Sequence, residues 1–318
     1  MNRKTIRFDH PQIPFEEFNI LPPPPPAAEM RDAAADGPAK VISYISFGSG
    51  SSGNSCYIGN SREGFLIDAG IRADDIVDTL RANGISISRV KGILLTHDHS
   101  DHVKYAYTLL RANRHMRLFC TNRVLNGLLR RHGISRHIKD YHVPIFKEIP
   151  FAVGDFRVTA FDVPHDGTDN MGFSIDYDNR RFVVATDLGA VTDRARYYMS
   201  RANYLVIEAN YDSRMLAEGM YPEYLKARIR AANGHLDNAD TAAFLAEIIN
   251  PSLKYIFLCH LSKDNNTPAK ALKAVRDALE ARGITIGDGK ETILDRKADV
   301  QLLALPRFDP TRWFALRP

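Results

Sequence analysis

Residues 91–102, KGILLTHDHSDH, place three histidines and two aspartates directly after an apolar run. The run predicts a buried strand, so the polar cluster follows the carboxyl end of that strand. His97 and His99 alternate with Asp98, so both imidazoles are expected to face one metal ion while Asp98 points away from it. A polar turn exposed to solvent is the simpler alternative, and later parts of the chain must decide between the two.

Ligands for a complete metal site come from other segments of the chain. Asp101 and His102 begin the next predicted helix and face a different direction, toward a second ion. Three later strand ends carry suitable side chains: His165 in VPHDG, Asp187 in VVATDLG and His260 in FLCHLS. Taken singly, each is more simply a turn residue or a helix cap. Together with the histidine-rich segment they favour metal binding, because imidazoles and carboxylates are good ligands for divalent cations.

The composition is that of a globular protein, with 44% hydrophobic and 25% charged residues. No segment approaches the run of about 18 apolar residues that a membrane helix requires, and the amino terminus has no apolar core of a secretory signal. Only three cysteines occur, and they are far apart in the sequence. We therefore expect neither a disulfide scaffold nor a membrane partner, and the cytoplasm is the expected location.

Positive charge is concentrated in one part of the chain. Residues 104–147 contain ten lysines or arginines and a single acidic residue, whereas the whole protein has a net charge of only +4. Such a segment is a candidate for binding a polyanion, and Arg130 and Arg131 are its candidate phosphate contacts. Ordinary solvated helix faces are an equally good explanation of the segment on its own.

The chain divides into three parts by composition. Residues 1–40 include a proline run and are expected to form a disordered arm, residues 41–305 a single folded domain, and residues 306–318 a C-terminal tail. Within the domain, the segment GFSIDYDNRRFVVATDLG predicts a hairpin that turns at Asp178 and Asn179. Strands come first and mixed strands and helices follow, which indicates two packed sheets with helices outside.

Five motifs resemble, in order, those of the metallo-β-lactamase superfamily: LIDAG, THDHSDH, VPHDG, VATDLG and CHLS. Within that superfamily, SFGSGSSGNSCYIG, NGHLDN and HLSKDNNTP resemble the YycJ/WalJ branch of DNA exonuclease-like enzymes. That branch usually has GHLSN where this chain has GHLDN, so Asp237 replaces a serine. The resemblance implies an αββα four-layer sandwich of two mixed sheets flanked by helices.

The resemblance also implies roles for individual residues. Two divalent ions, zinc or manganese, are expected, with Asp187 bridging them and Asp68 orienting a ligating histidine. Asp101 is expected to be both a ligand and a catalytic residue. The first ion would be held by His97, His99 and His165, and the second by Asp101, His102 and His260.

Glu208 and His235 resemble the Glu–His pair of ribonuclease Z, in which the histidine assists the leaving group. The alternative for His235 is a structural residue at a helix start, with Asp237 or Asn238 as the cap. The glycine-rich segment 46–55 lacks the G-K-[ST] ending of a P-loop. Its candidate substrate contacts are Ser51, Ser52 and Asn54, through side chains and backbone N–H groups.

The predicted function is hydrolysis of phosphodiester bonds in nucleic acid, as a DNA exonuclease, by attack of a hydroxide that bridges the two ions. The alternative is a hydrolase of a small cyclic phosphate, ester, thioester or lactone, because the same fold serves many reactions. The basic segment and the Glu208–His235 pair favour the nuclease, since a small neutral substrate needs neither. A binding protein without turnover is disfavoured because no ligand of the set is missing. The sequence makes no prediction of protein partners or oligomeric state.

Overall fold

The computed structural model describes residues 40–290, 292 and 294–317. The predicted proline-rich arm, residues 1–40, therefore lies outside the described residues except for Lys40. The strands are β1 (Ile42–Gly48), β2 (Ser55–Gly59), β3 (Gly64–Ile67), β4 (Val90–Leu94), β5 (Arg117–Cys120), β6 (His142–Pro144), β7 (Phe151–Val153), β8 (Phe156–Asp162), β9 (Met171–Tyr177), β10 (Arg180–Ala185), β11 (Tyr204–Glu208), β12 (Tyr255–Cys259), β13 (Ile286–Gly287), β14 (Val300–Ala304) and β15 (Phe314–Leu316).

The α-helices lie between these strands and pack on the outer faces of the sheets. They are α1 (Ala73–Ala82), α2 (Ser100–Val103), α3 (Ala106–Ala112), α4 (Asn122–Arg131), α5 (Asp193–Met199), α6 (Ser213–Glu218), α7 (Glu223–Arg230), α8 (Asn238–Ile248) and α9 (Pro268–Glu280). No helix among the described residues combines the length and apolar character needed to cross a bilayer.

Two mixed sheets form the centre of the domain. The first has the order β15-β1-β2-β3-β4-β5-β6 and the second the order β13-β14-β12-β11-β10-β9-β8-β7. Helix α1 packs against β1, whereas α5 packs against β8 and β10 and α9 against β14. The predicted αββα four-layer sandwich is thereby confirmed.

Aromatic side chains fill the space between the two sheets. Tyr44 of the first sheet lies 4.8 Å from Phe257 and 5.1 Å from Phe182 of the second, measured between ring centroids. Phe65 and Phe156 make a similar edge-on contact across the sheets at 5.4 Å. All five rings are essentially fully buried, and the burial of such large apolar surfaces is the main force holding the sheets together.

The parallel strands determine where polar side chains gather. Strands β3, β4 and β5 run parallel to one another, as do β10, β11 and β12. The strands in both sets are almost wholly buried and apolar, which suits strands covered on both faces. The carboxyl ends of parallel strands meet at one edge of a sheet, and the polar motifs of the sequence follow exactly these ends in β3, β4, β10 and β12.

Three local features differ from the sequence prediction. The helix predicted after the histidine-rich segment forms two short helices, α2 and α3, and α2 begins at Ser100. Helix α4 was not predicted, because Gly127 interrupts its pattern. A Cβ on Gly127 would lie 2.0 Å from a carboxylate oxygen of Asp98, so the glycine permits a close approach. Residues 306–318, expected to form a separate tail, supply β15, which pairs with β1.

Candidate metal centre

The loop after β4 is fixed tightly beneath the end of β3. The amide of Ala69 donates to the carbonyl of His102 at 2.7 Å, and the amide of Asn54 donates to the carbonyl of Asp101 at the same distance. A Cβ on Gly70 would lie only 1.6 Å from the carbonyl oxygen of Asp101. Glycine is therefore required in the LIDAG motif, because any side chain would push the histidine-rich loop away.

Three strands end in a residue with left-handed backbone conformation. Asp68 after β3, Asp187 after β10 and His260 after β12 have φ angles of 59°, 53° and 53°. Non-glycine residues seldom adopt this conformation, and it is concentrated at functional sites where the surrounding structure enforces it. All three side chains are buried. Those of Asp187 and His260 contact each other at 3.3 Å, whereas that of Asp68 contacts the ring of His102.

The seven predicted ligands converge in space. Their candidate donor atoms lie within 4.8 Å of one another in overlapping groups of three, and Asp187 and His260 also form a group of four with Glu208 and His235. One group is His97, His99 and His165, and another is Asp101, His102 and His260. These are the two sets that the resemblance assigns to separate ions.

Asp187 lies between the two groups. One carboxylate oxygen is 3.8 Å from Nε2 of His165 and 3.3 Å from Nδ1 of His260. The other oxygen is 3.3 Å from Nε2 of His102. The first oxygen thus lies near a member of each set and the second oxygen near another member of the second set, so the carboxylate is placed to bridge the two sets.

The seven predicted ligands, which we call the donor set, fit divalent cations. The Nε2 atoms of His97 and His260 are buried without a hydrogen-bond partner among the described residues, although buried polar atoms are almost always paired. Burial opposes ionisation of Asp187, but His260 and His102 hold the pKa of its carboxyl well below the usual range. Unpaired imidazole nitrogens around an ionised carboxylate are what a zinc-type ion requires.

Asp68 contacts the donor set from behind. One of its oxygens lies 2.7 Å from Nδ1 of His102, and the same carboxylate accepts hydrogen bonds from the amide and hydroxyl of Thr96 at 2.9 and 2.8 Å. This arrangement fixes the ring of His102 with Nε2 pointing toward Asp101 and Asp187. Carboxylates in this position orient ligating histidines and raise their basicity.

Glu208 and His235 form a second buried unit beside the donor set. A carboxylate oxygen of Glu208 is 2.7 Å from Nδ1 of His235 and 3.0 Å from Nδ1 of His260. The other oxygen accepts hydrogen bonds from the amides of Leu188 and Leu236. Burial opposes protonation of His235, yet the Glu208 carboxylate raises the pKa of that imidazole above its ordinary value.

The alternative from the sequence, in which Asp237 or Asn238 caps the helix after His235, is compatible with the Glu208–His235 pair. Asp237 caps α8 by accepting a hydrogen bond from the amide of Asp240 at 2.7 Å. His235 is therefore free of the capping role and its ring is turned toward Glu208. Aspartate and serine are both good N-caps, so Asp237 fills the place of the serine usual in the resembling branch.

Sequence analysis missed a carboxylate–guanidinium pair on the other side of the site. Asp166 lies 3.2 Å from Nε2 of His99, and its second oxygen accepts two hydrogen bonds from Arg228 at 2.7 and 2.6 Å. Asp166 directly follows a predicted ligand in VPHDG, which was the available signal. Arg228 on α7 carries no sequence signal, because only the fold brings that helix to the metal centre.

An open pocket of about 450 Å³ leads to the donor set. Arg131, Arg228 and Tyr221 line it together with Ser51. Ser52 and Arg130 are not among its lining residues, although both were predicted to contact substrate.

Asn54, the third predicted substrate contact of the glycine-rich segment, makes several hydrogen bonds inside the protein. It is buried, and its amide nitrogen donates to the Asp101 carboxylate at 3.1 Å and to the carbonyl of Gly50. Its amide oxygen accepts a hydrogen bond from the amide of Gly50 at 2.8 Å. Asn54 therefore holds a predicted ligand and the glycine-rich loop together from inside the protein.

Comparison with known proteins places this geometry in a family. Residues 64–260 match the model of the beta-lactamase superfamily domain. The chain is 34% identical over 249 residues to exodeoxyribonuclease YycJ of Bacillus anthracis, covering 76% of this chain and 91% of that protein. It is 31% identical over 247 residues to exodeoxyribonuclease WalJ of Streptococcus pneumoniae strain D39, covering 77% and 90%.

Solved structures support the same fold. The metallo-beta-lactamase fold protein YhfI from Bacillus subtilis superposes with a TM-score of 0.61 at 12% identity. The superposition covers 85% of this chain and 99% of YhfI. At this level of identity the similarity concerns the fold alone.

Proposed function

The chain belongs to the beta-lactamase superfamily, in its YycJ/WalJ branch, and on that premise we propose that it is a two-metal phosphodiesterase that shortens DNA from an end. The observation that carries the proposal is the convergence of seven ligand side chains beside one open pocket, which five of the seven line together with two arginines, Arg131 and Arg228. The ligands suit a hydrolytic metal pair, and the arginines suit an anionic substrate. A neutral ester or lactone would have no use for the two guanidinium groups.

The proposed ligand roles follow the donor groups described above. One ion would be held by His97, His99 and His165, and the other by Asp101, His102 and His260. Asp187 would bind both ions. Two such ions supply an activated water and a positive clamp for the phosphoryl oxygens. Zinc or manganese is the proposed metal, because the set combines imidazoles with carboxylates.

The walls of the pocket suit a nucleotide. Arg131 and Arg228 are about half exposed, with 50% and 59% of their side-chain surface accessible. Each is oriented by a carboxylate: Arg131 lies 3.7 Å from Asp98, and Arg228 is bonded to Asp166. Guanidinium groups held in this way can contact phosphate oxygens without losing their position. Tyr221 offers an aromatic surface for the sugar or base.

His235 is proposed as the proton donor to the departing oxygen. Its Nδ1 is engaged by Glu208, and the residue lines the pocket, so Nε2 is left to face the substrate. Glu208 fixes the ring through that contact and is itself held by two backbone amides. A positioned acid of this kind contributes typically ~10²- to 10⁴-fold to a rate.

A substrate panel tests the proposal directly. Purified protein loaded with zinc or manganese is incubated with end-labelled single- and double-stranded DNA and RNA, and with a p-nitrophenyl ester, a thioester and a lactone. We expect mononucleotides to be released from DNA ends, with little turnover of the neutral esters. Robust hydrolysis of small esters without cleavage of any nucleic acid, under matched metal conditions, would overturn the proposal.

Substitution of the pocket arginine tests substrate contact separately from chemistry. Arg131→Gln is expected to weaken binding of single-stranded DNA and to reduce the slope of log K against log salt by about 0.7, because one phosphate contact is lost. Arg130→Gln is the matched control, since Arg130 is the adjacent residue on α4 but does not line the pocket. Fluorescence anisotropy at several salt concentrations measures both slopes. Equal slopes for the two variants would show that Arg131 does not contact a phosphate of the substrate.

A further inference from the structure

A second concave surface lies away from the metal centre. Tyr107 and Arg111 of α3, Arg114 and Arg117 around the start of β5, and the segment of His137, Asp140 and Tyr141 line a groove of about 480 Å³. We call it the arginine groove. Its lining contains three guanidinium groups and a single carboxylate, so it attracts anions.

Among the described residues, no ion pair neutralises the arginines of the arginine groove. Neither Arg111 nor Arg114 has a side-chain ion pair or hydrogen bond among the described residues. Arg117 donates only to the backbone carbonyls of Arg114 and Met116, at 3.2 Å each. Elsewhere in the domain the exposed arginines of α1, α6 and α9 pair with carboxylates on the same helix. The groove therefore keeps its positive charge for an external partner.

Topology places the arginine groove at the end of the first sheet opposite the metal centre. Strands β4 and β5 are parallel, and Arg117, the first residue of β5, pairs with Gly92 near the start of β4. The histidine-rich segment follows the other end of β4. Arg131 at the pocket and His137 at the groove are six positions apart in the chain, so their Cα atoms are at most about 21 Å apart. A stacked nucleic-acid strand, at ~3.4 Å per nucleotide, spans this distance with about six nucleotides.

We propose that the arginine groove binds the phosphate backbone of a single nucleic-acid strand whose end occupies the metal centre. The inference rests on the proposed function and adds a second contact, remote from the reacting phosphate. Tyr107 and Tyr141 favour nucleic acid over an acidic protein, because half-buried rings beside arginines provide stacking surfaces for bases. The groove thus makes affinity depend on the length of the strand.

The test compares a long and a short oligonucleotide. The variant Arg111→Gln/Arg114→Gln leaves Arg117 and its backbone hydrogen bonds in place. Binding of fluorescein-labelled single-stranded DNA of 15 and of 3 nucleotides, with nuclease-resistant phosphorothioate linkages, is followed by anisotropy from 0.1 to 1 M salt. Loss of two phosphate contacts flattens the salt slope by about 1.4, which weakens binding of the 15-mer by about 25-fold at 0.1 M relative to 1 M salt. A stacked 3-mer covers only about 10 Å, so its affinity is expected to fall much less than that of the 15-mer.

The matched control removes the same charge from another surface. Arg282→Gln/Lys297→Gln changes two exposed residues far along the chain from the groove, and it is expected to leave the slope for the 15-mer intact. Equal losses in both double variants, or an unchanged slope in the groove variant with unaltered melting temperature and metal content, would overturn the proposal. The proposal would also be overturned if polyglutamate displaced the 15-mer as readily as unlabelled DNA does, because the groove would then bind anions in general. Because binding is measured without turnover, a protein that binds through the groove but cleaves no nucleic acid refutes the proposed function alone.

Discussion

Asp187→Asn is expected to lower the rate of DNA hydrolysis by about 10³- to 10⁴-fold and to reduce the metal content below two ions per chain. The carboxylate lies between the two donor groups, 3.8 Å from Nε2 of His165 in one and 3.3 Å from Nε2 of His102 in the other. An amide carries no charge to compensate two cations, and loss of metal-based charge stabilisation costs several kcal/mol in the transition state. Elemental analysis and the rate on end-labelled DNA measure the two effects.

The variant is informative because the backbone tolerates it. Asp187 has a φ angle of 53°, and asparagine adopts this left-handed conformation at least as readily as aspartate. Asp98→Asn is the control, with the same change of charge within the histidine-rich segment. The Asp98 carboxylate accepts hydrogen bonds from the amide and hydroxyl of Thr168, at 2.8 and 2.6 Å, so we expect this variant to keep both ions. Full activity and two ions in Asp187→Asn would refute the bridging role.

His235→Gln is expected to lower the rate on DNA by about 10²- to 10⁴-fold, with a much smaller effect on a p-nitrophenyl ester of thymidine 5′-phosphate. The departing sugar oxygen of DNA is a strong base and needs a proton, whereas p-nitrophenolate leaves without one. Comparison of kcat for the two substrates measures the difference. A structural role for His235 at the start of α8 would lower both rates equally, so the ratio of the two losses separates the explanations.

A surface histidine provides the control for this experiment. His115→Gln removes an exposed ring whose one hydrogen bond among the described residues is to the carbonyl of Ile87, at 3.3 Å, and it is expected to affect neither substrate. Melting temperatures of both variants check that the fold is preserved, because Asp237 still caps α8 in each. Equal losses of His235→Gln on the two substrates would contradict proton donation.

Short-range patterns accounted for much of the fold. The apolar runs predicted β4, β10 and β12, and the turn residues Asp178 and Asn179 form the hairpin with positive φ angles, as such residues favour. Thr267 and Pro268 likewise begin α9 as cap and first residue. In contrast, β15 depends on pairing with β1, which lies at the opposite end of the sequence. A pairing of that range leaves no local pattern.

The sequence by itself determined which side chains form the site. Spacing within residues 91–102 and the polar residues after apolar strands identified all seven members of the donor set, because strand ends and ligand chemistry are local properties. Only the tertiary structure decided which neighbours act on that set. In the folded protein, Arg131 lies at the pocket, whereas Arg111 and Arg114 lie at the opposite end of the sheet. Asn54 is buried against Asp101, and Asp166 is hydrogen-bonded to Arg228. These outcomes depend on how helices pack across distant strands, and charge or residue type alone does not specify that packing.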